Sequence, residues 1–523
     1  MSSGSPRRRL AAALLRRDRI LLPGWITGGV LLYVFQAKSI DQLYPTAAAL
    51  RDAADTMAAN PAMLAMTGPA RALDTLGGQV AWQSASYGAV VAGLMSMMIV
   101  VRHTRVEEET GRSELVRSGA IGQLTPLAHV VGMAIAANVV LGVLVALSLI
   151  GYGLPASGSW ALGAALTATG LVFTGVAAVA SQLTVGARAA YAATAAAVGA
   201  AFFLRAVGDT GAEAVSRASP IGWGQATRPF ADERWWPLGL SVAATLLLLA
   251  AAVRLHGRRD HGAGVWSDYR RPSRDIGLGS WGLAWRLHRG ALLGWTAAVA
   301  LVGVGYGSMA ESADDILGDT ELASDLFATR SAPVEGFLSV ATLILVLLCT
   351  ASGVMAAQRS HAEERAGRAD PLLAGTLSRL GWSLQHGVVA ALGVVVMLLV
   401  AGVATGLGYA AASGDTTAVW TLVGAATAYL PAVLTVIAVV QLAHGLGWST
   451  SLVGWSLLGW CIVVGLFGEV LDVPDAAAAV SPLHHVATMP LEPFDAAATA
   501  GLTLTALVLM VCGQFLLRGR DLR

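Results

Sequence analysis

The sequence predicts an all-α protein that crosses a membrane many times. Of its 523 residues, 55% are hydrophobic and 13% are charged, and 60 are glycines. The mean hydropathy is +0.64. This composition is too apolar for a water-soluble fold, and the glycine content is typical of closely packed membrane helices. The apolar residues also occur in runs long enough to span a bilayer, which fixes the class as polytopic.

Twelve apolar runs predict twelve transmembrane helices, each of the length that crosses a hydrocarbon core. They lie near residues 20–37, 81–101, 127–151, 160–181, 189–207, 236–254, 290–307, 336–357, 384–408, 417–441, 450–468 and 496–517. Because an even number of crossings returns the chain to its starting side, both termini are expected on the same side of the membrane.

The charge distribution indicates that this side is the cytoplasm. With the termini placed inside, 26 of the 34 Lys and Arg residues fall in inner segments, as the positive-inside rule requires. The apolar stretch behind Arg7, Arg8 and Arg9 is broken by further charges from Arg16 onward, so no cleaved signal peptide is expected. We therefore expect a membrane protein with both termini in the cytoplasm.

An internal repeat divides the chain into two halves. Residues 105–114 match residues 361–370 at an offset of 256, and both copies follow the second helix of their half. Two further landmarks recur in the same order, Arg19 with Gly24-Trp25 matching Arg289 with Gly294-Trp295, and Ser219-Pro220 matching Ser481-Pro482. The prediction is a first six-helix transmembrane half at 1–260, a cytoplasmic linker at 261–274 and a second six-helix half at 275–523. Halves with an even helix count run parallel, and a substrate path is expected on the axis between them.

The repeated segment has the pattern E-E-x-x-G-R. Its members are Glu107, Glu108, Gly111 and Arg112 in the first copy and Glu363, Glu364, Gly367 and Arg368 in the second. The spacing predicts acid-first i,i+4 pairs, Glu108 with Arg112 and Glu364 with Arg368, on a short charged helix. Such a helix could dock a cytosolic partner. The alternative is a solvated loop whose charges only anchor the preceding helix.

Amphipathic segments precede the first helix of each half, at Arg7–Ile20 and Ser280–Arg289. Their leucines or tryptophans lie opposite arginines, which predicts helices in the inner membrane interface. Simple positive-inside anchoring explains the same arginines, so both interpretations stay open.

The chain has a single lysine, Lys38, and it does not belong to a phosphate-binding loop. A P-loop needs the lysine of G-x-x-x-x-G-K-[ST], whereas Lys38 lies in Gln-Ala-Lys-Ser-Ile. We therefore expect no ATP hydrolysis by this chain, no catalytic residues and no cofactor of its own. The three cysteines fall in apolar runs, and His484 and His485 are adjacent rather than at ligand spacing, so no disulfide or metal site is expected.

Two other function classes were weighed. A secondary, ion-coupled multidrug transporter can also have two six-helix halves, but it usually carries ionisable residues in mid-membrane. Arg205 and Glu469 lie near outer helix ends instead, which favours an energy source outside the chain. An intramembrane enzyme would need a constellation such as H-E-x-x-H or G-x-S-x-G, and the sequence has neither.

A substrate cavity is predicted from soft and aromatic side chains. Met95, Met98, Phe202 and Phe203 could line an apolar pocket, because such side chains accommodate varied hydrophobic ligands. Packing residues or lipid-facing residues would have the same composition.

The order of these elements resembles a known family. An interfacial helix, a first span, a long outer loop, a second span with its E-E-x-x-G-R segment, and four more spans with an outer Ser-Pro insertion are similar to the ABC-2 (type V) exporter permeases. The tandem form resembles the actinobacterial antibiotic and multidrug permeases of the tetronasin-resistance type. The second half departs from the pattern, because His484-His485 replaces the Gly222-Trp223 of the first half.

The resemblance implies a fold, a partner and residue roles. It implies a protein of the bacterial plasma (inner) membrane that works with two copies of a separately encoded ATPase, which binds ATP and Mg. Its other partners would be the lipid bilayer and a hydrophobic small-molecule substrate, with no nucleic acid. The resemblance makes the repeated E-E-x-x-G-R segments coupling helices. It also implies that re-entrant elements close the exit at the outer side, formed by Ser219, Pro220, Trp223, Pro229, Phe230, Ser481 and Pro482.

Overall fold

The computed structural model describes residues 6–59, 64, 66–112, 114, 122–209, 213–259, 264, 279–310, 333–468 and 473–520. Within these ranges the regular structure is helical throughout. The chain forms two compact units, Met1–Pro272 and Ser273–Arg523. Apart from Gly264, the predicted linker at 261–274 lies outside the described residues.

The first unit begins with a short helix and then alternates long helices with brief ones. Its helices are α1 Pro6–Arg17, α2 Leu21–Leu43, α3 Ala47–Ala59, α4 Leu76–Arg102, α5 Arg105–Glu109, α6 Thr125–Gly151, α7 Ala156–Leu183, α8 Ala187–Asp209, α9 Glu213–Ser216, α10 Pro220–Gln225 and α11 Pro237–Arg258.

The second unit follows the same plan with some elements merged. Its helices are α12 Gly279–Met309, α13 Pro333–Arg365, α14 Asp370–Leu373, α15 Arg379–Ser413, α16 Ala418–Ala428, α17 Leu430–Gly445, α18 Thr450–Phe467, α19 Asp475–Ala478 and α20 Ala496–Gly519, with a 3-10 turn at Pro482–His485.

All twelve predicted apolar runs are helical in the structure. Among the described residues, ten helices are long and apolar enough to cross a membrane. The other two predicted spans correspond to α2, which carries Lys38 and Asp41 near its end, and to α18, which has only 18 residues. The all-α polytopic architecture is thus confirmed, while the count of twelve spans stays a prediction.

The two units differ where their first long helix begins. In the first unit α1 ends at Arg17 and the chain turns before α2, whereas α12 runs without interruption for 31 residues. The separate interfacial helix predicted at Ser280–Arg289 is therefore wrong, because that segment is the first part of α12. Asp18 is fully buried at the corner of the first unit. The residue that matches Asp18 at the repeat offset of 270 is His288, which lies within the continuous helix α12.

Glycines let the long helices approach closely. A Cβ atom on Gly142 of α6 would overlap the carbonyl of Gly163 on α7, and a Cβ on Gly163 would overlap the carbonyl of Gly142. In the second unit Gly445 of α17 is pressed in the same way against Gly513 of α20. Contacts between small residues are a principal source of stability between membrane helices. These glycines therefore bring α6 close to α7 and α17 close to α20.

Candidate functional site

The first E-E-x-x-G-R copy forms a helix of its own. His103 and Thr104 separate α5 from α4, and α5 carries Glu107 and Glu108. The helix ends at Glu109, and Gly111 two residues later has a φ of +71°, with its N–H donating to the Glu108 carbonyl over 3.1 Å. This left-handed conformation is strained for any residue with a Cβ, which explains the glycine of the motif.

The second copy is the end of a long helix rather than a separate one. Glu363 and Glu364 lie in the last turn of α13. Gly367 has a φ of +66°, and the next N–H, of Arg368, donates to the Glu363 carbonyl over 3.0 Å. That is the bond of a Schellman cap. The glycine therefore terminates the helix in both copies, although the two copies connect differently to the helix before them.

Glu108 lies at the centre of a buried ion-pair cluster. Its Oε2 atom is 2.8 Å from Nη1 of Arg105 and 2.9 Å from Nη1 of Arg259. A second guanidinium nitrogen of Arg259 contacts Oε1, so this pair is bidentate. The Glu108 side chain is only 11% exposed and that of Arg259 3%. Arg259 is the residue directly after α11, so the pair joins the repeated segment to the end of the last helix of its unit.

Glu364 repeats this arrangement in the second unit. One of its carboxylate oxygens contacts Nη2 of Arg520, the residue directly after α20, and the other lies 2.7 Å from Nε2 of His444. The backbones of Arg259 and Arg520 are alike, with φ/ψ of −103°/146° and −88°/138°. We call these two contacts, Glu108–Arg259 and Glu364–Arg520, the terminal ion pairs.

The first glutamate of each copy has other partners. Glu107 forms an ion pair with Arg17 of α1. Glu363 lies 2.8 Å from Nε of Arg359 and 2.6 Å from Nε of Arg368. The hydrogen bond to Glu363 raises the pKa of Arg368. The predicted pair of Glu364 with Arg368 is therefore wrong, because the Schellman turn brings Arg368 back over Glu363.

Arg105 and Glu109 fix the segment to neighbouring helices. Arg105 is fully buried and donates to the carbonyls of Ser181 and Gln182 in the last turn of α7. Glu109 accepts a hydrogen bond of 2.7 Å from the backbone N–H of Ala187, at the start of α8. A carboxylate at a helix N-terminus is favourable because the first N–H groups have no partner within the helix.

Asp18 anchors the corner before α2 to the end of α4. Its Oδ2 atom is 2.6 Å from Nε2 of His103, and its Oδ1 atom is 3.3 Å from Nε of Arg102. Burial and the positive charges of Arg112 and Arg102 lower the pKa of the neighbouring Arg17. The first unit therefore concentrates charge at this end, around the repeated segment.

Four further residues belong to this site although the sequence did not predict them, namely Asp18, Arg105, Arg259 and Arg520. A signal for two of them was present, since Arg258-Arg259-Asp260 is repeated as Arg520-Asp521 at the other end of the chain. The repeat shows that an arginine recurs after the last helix. It does not show which acid that arginine contacts.

In the first unit the element around Ser219 and Phe230, which the sequence predicts on the outer side, packs between long helices. Ser219 caps α10, accepting bonds from the N–H groups of Ile221 and Gly222, and donates to the Ala201 carbonyl over 2.6 Å. Phe230 has a φ of +62°. A Cβ on Gly77 of α4 or on Gly158 of α7 would overlap the Phe230 ring, so this ring fits against both glycines.

The remaining predicted gate residues lie nearby or in the matching element. The Nε1 atom of Trp223 donates to the Arg217 carbonyl over 2.6 Å. Pro229 lines an opening in the first unit beside Trp82 and Gln225, and Pro220 is the first residue of α10. In the second unit Ser481 and Pro482 are buried at the 3-10 turn.

An exposed charge cluster follows Phe230. Asp232 is held between Arg228, at 2.8 Å, and Arg234, at 2.7 Å. Hydrogen bonds from these two arginines lower the pKa of Asp232 to about 2.

The four predicted cavity residues have different surroundings. Met95 is fully buried in the core of the first unit, and the sulfur of Met98 accepts a hydrogen bond of 3.0 Å from Nε1 of Trp25. Phe202 lies under the guanidinium of Arg205, at 4.4 Å, and Phe203 is 56% exposed. The structure does not bring these four side chains to one surface of the first unit, and a shared cavity stays a prediction.

The protein is polytopic and all-α, and in each unit an ion pair joins a charged segment to the end of the last helix. This is the architecture of a membrane permease. The chain is 36% identical over 522 residues to the "Multidrug efflux system permease protein Rv1217c" of Mycobacterium tuberculosis, covering 97% of this chain and 94% of the relative. Residues 278–518 match the family model described as "Multidrug efflux system permease Rv1217c, C-terminal domain". The chain therefore belongs to the multidrug efflux permease family of ATP-binding-cassette exporters, and the resemblance seen in its sequence is confirmed.

Proposed function

We propose that this chain is the membrane-spanning subunit of an exporter that expels hydrophobic compounds, such as antibiotics, from the bacterial cytoplasm or inner leaflet. The relative's name as a multidrug efflux permease supports this substrate class. Two copies of a separately encoded ATPase bind and hydrolyse ATP with Mg, and the chain contributes no catalytic residue. Both termini and both E-E-x-x-G-R segments face the cytoplasm.

The terminal ion pairs carry the proposed coupling mechanism. Each pair joins a segment that a partner can reach to the end of a long apolar helix, through a buried and charge-assisted contact. A displacement of the segment is transmitted to α11 or α20, because separating the ions would leave buried charges unpaired. One such device in each unit is consistent with one ATPase subunit for each half.

The contact surface for the ATPase differs from the one expected from the sequence alone. Glu108 and Glu364 face inward, so they position the segment rather than touch a partner. Arg112 in the first copy, and Arg365 and Arg368 in the second, are exposed. We assign the docking contacts to these arginines, which would meet acidic groups on the ATPase.

The outer elements are proposed to close the exit. Phe230 lies against helices α4 and α7, and the first of these leads directly into the first coupling segment. A shift of α4 on ATP binding would change the space available to Phe230 and release the element. The capped helix α10 would then move together with Phe230.

A reconstitution experiment tests the function. The chain is purified alone and with its ATPase partner, and both preparations are placed in liposomes with a fluorescent hydrophobic drug. We expect ATP hydrolysis and ATP-dependent drug transport only from the complex. ATP hydrolysis by the isolated chain, or drug transport driven by a proton gradient without ATP, would contradict the proposal.

A further inference from the structure

Three potential metal ligands lie close together in the second unit, where α13 and α17 end. His361 and Glu364 lie one turn apart near the end of α13, and His444 lies in the last turn of α17. A ligand atom of each residue lies within 4.8 Å of a ligand atom of the other two. Glu364 and His444 are 80 residues apart in the sequence, so no short motif could reveal the group.

In the first unit the guanidinium of Arg105 occupies the place that the imidazoles of His361 and His444 occupy in the second. The repeat offset of 256 aligns Arg105 with His361 and Glu108 with Glu364. In the first unit the guanidinium of Arg105 lies 2.8 Å from the carboxylate of Glu108. It also donates to a carbonyl in the last turn of α7, so it joins the end of α4 to the end of α7. In the second unit His361 and His444 occupy the corresponding ends of α13 and α17. A cation bound between them would join those helices as Arg105 joins its own.

The surrounding groups suit a metal ion. The Nδ1 atom of His361 is buried without a hydrogen-bond partner. The rings of His361 and His444 are edge to face with centroids 5.2 Å apart. Ser360 lies 3.4 Å from Nδ1 of His444, the nitrogen that faces away from the carboxylate, and Arg520 holds the second oxygen of Glu364. Such outer partners orient metal ligands and fix the imidazole tautomer.

We propose that His361, Glu364 and His444 bind a divalent transition-metal ion of the zinc class. Two imidazole nitrogens and one carboxylate, with water at a fourth position, form a common zinc ligand set, whereas Mg²⁺ and Ca²⁺ prefer oxygen ligands alone. The ion takes the place of the hydrogen bond between Nε2 of His444 and Glu364, and the imidazole proton then lies on Nδ1, the nitrogen beside Ser360. The bound metal clamps the second coupling segment to α17.

Zinc titration of the full-length chain tests this site. The chain is purified in detergent with an affinity tag that contains no histidine, stripped with a chelator, and titrated against a chromogenic zinc indicator. We expect one zinc ion per chain with an affinity that His361→Ala weakens by about tenfold or more. His484→Ala, which removes an exposed histidine, is the matched control and should bind as the parent does.

Thermal unfolding with and without zinc provides a second readout. Zinc should raise the unfolding temperature of the parent, of His484→Ala and of His361→Cys, which restores a ligand, but not that of His361→Ala or His361→Gln. The site is rejected if the parent retains no zinc at micromolar concentrations. It is also rejected if His361→Ala and His361→Gln bind zinc as tightly as the parent, or if His484→Ala loses binding equally.

Discussion

Glu108 and Arg259 are 151 residues apart in the sequence, yet they form a buried bidentate ion pair. Glu364 and Arg520, 156 residues apart, form its counterpart. Each pair joins the repeated segment to the residue that follows the last helix of the unit. The two glutamates were expected to point toward a partner. Their burial instead makes them internal connections, and a partner's force must enter through the residues around them.

Arg105 should be essential for the stability of the first unit. Arg105→Ala leaves two carbonyls of α7 and part of the Glu108 charge without their donor, and we expect a loss of about 3–5 kcal/mol. Arg112→Ala changes the same residue type in the same segment at an exposed position and should cost less than about 0.5 kcal/mol. Thermal unfolding in detergent measures both. Equal effects of the two substitutions would show that the buried contacts of Arg105 do not stabilise the first unit.

The motif glycines should be required for their backbone conformation. Gly111→Ala and Gly367→Ala place a Cβ on left-handed backbone and should each destabilise the protein by about 1–2 kcal/mol, although nearby space is open. Gly199→Ala, at an unobstructed position within α8, is the control and should be neutral or slightly stabilising. If Gly111→Ala behaves like Gly199→Ala, the motif glycine serves another purpose.

The cost of adding a methyl group at Gly158 should depend on the Phe230 ring beside it. Gly158→Ala forces a Cβ into the ring and should lower the unfolding temperature strongly, while Phe230→Ala removes a packed side chain at a cost of about 3–5 kcal/mol. In the double variant the added methyl no longer meets the ring. We therefore expect the combined loss to be smaller than the sum of the single losses. Strict additivity would mean that the ring and Gly158 do not touch.

Labelling of single cysteines should establish the topology. Cys349, Cys461 and Cys512 are replaced first, and a cysteine is then introduced at Asp319 or at Arg270. Both positions lie outside the described residues and were assigned from charge alone. An impermeant reagent should label position 319 in intact cells and position 270 only after the cells are opened. The reverse pattern would invert the proposed orientation of both termini.

The long helices could be predicted from the sequence, because apolar run length acts locally. The end of each coupling segment was not predicted, since the expected i,i+4 pairs require a helix that continues through Gly111 and Gly367. Nor could the partners of the glutamates be predicted. Glu364 was expected to meet Arg368, which is one turn away on an ideal helix, but the Schellman cap redirects Arg368 to Glu363. The arginines after α11 and α20 lie 151 and 156 residues from the glutamates that they contact, and no local pattern specifies such distant partners. The contacts of Asp18 with Arg102 and His103, 84 and 85 residues away, are likewise beyond any local pattern.

The central claim is that the terminal ion pairs transmit ATP hydrolysis to the helices, and drug-stimulated ATPase activity of the purified complex tests it most directly. In a variant combining Glu108→Ala with Glu364→Ala, the ATPase should remain bound and hydrolyse ATP at its basal rate, while stimulation by drug should fall by about fivefold or more. Exchanging the charges of the first pair, Glu108→Arg with Arg259→Glu, should recover part of the stimulation that Glu108→Ala alone removes. If Glu107, Glu108, Glu363 and Glu364 can all be replaced by alanine with drug stimulation and transport unchanged, the repeated segments do not couple the two reactions.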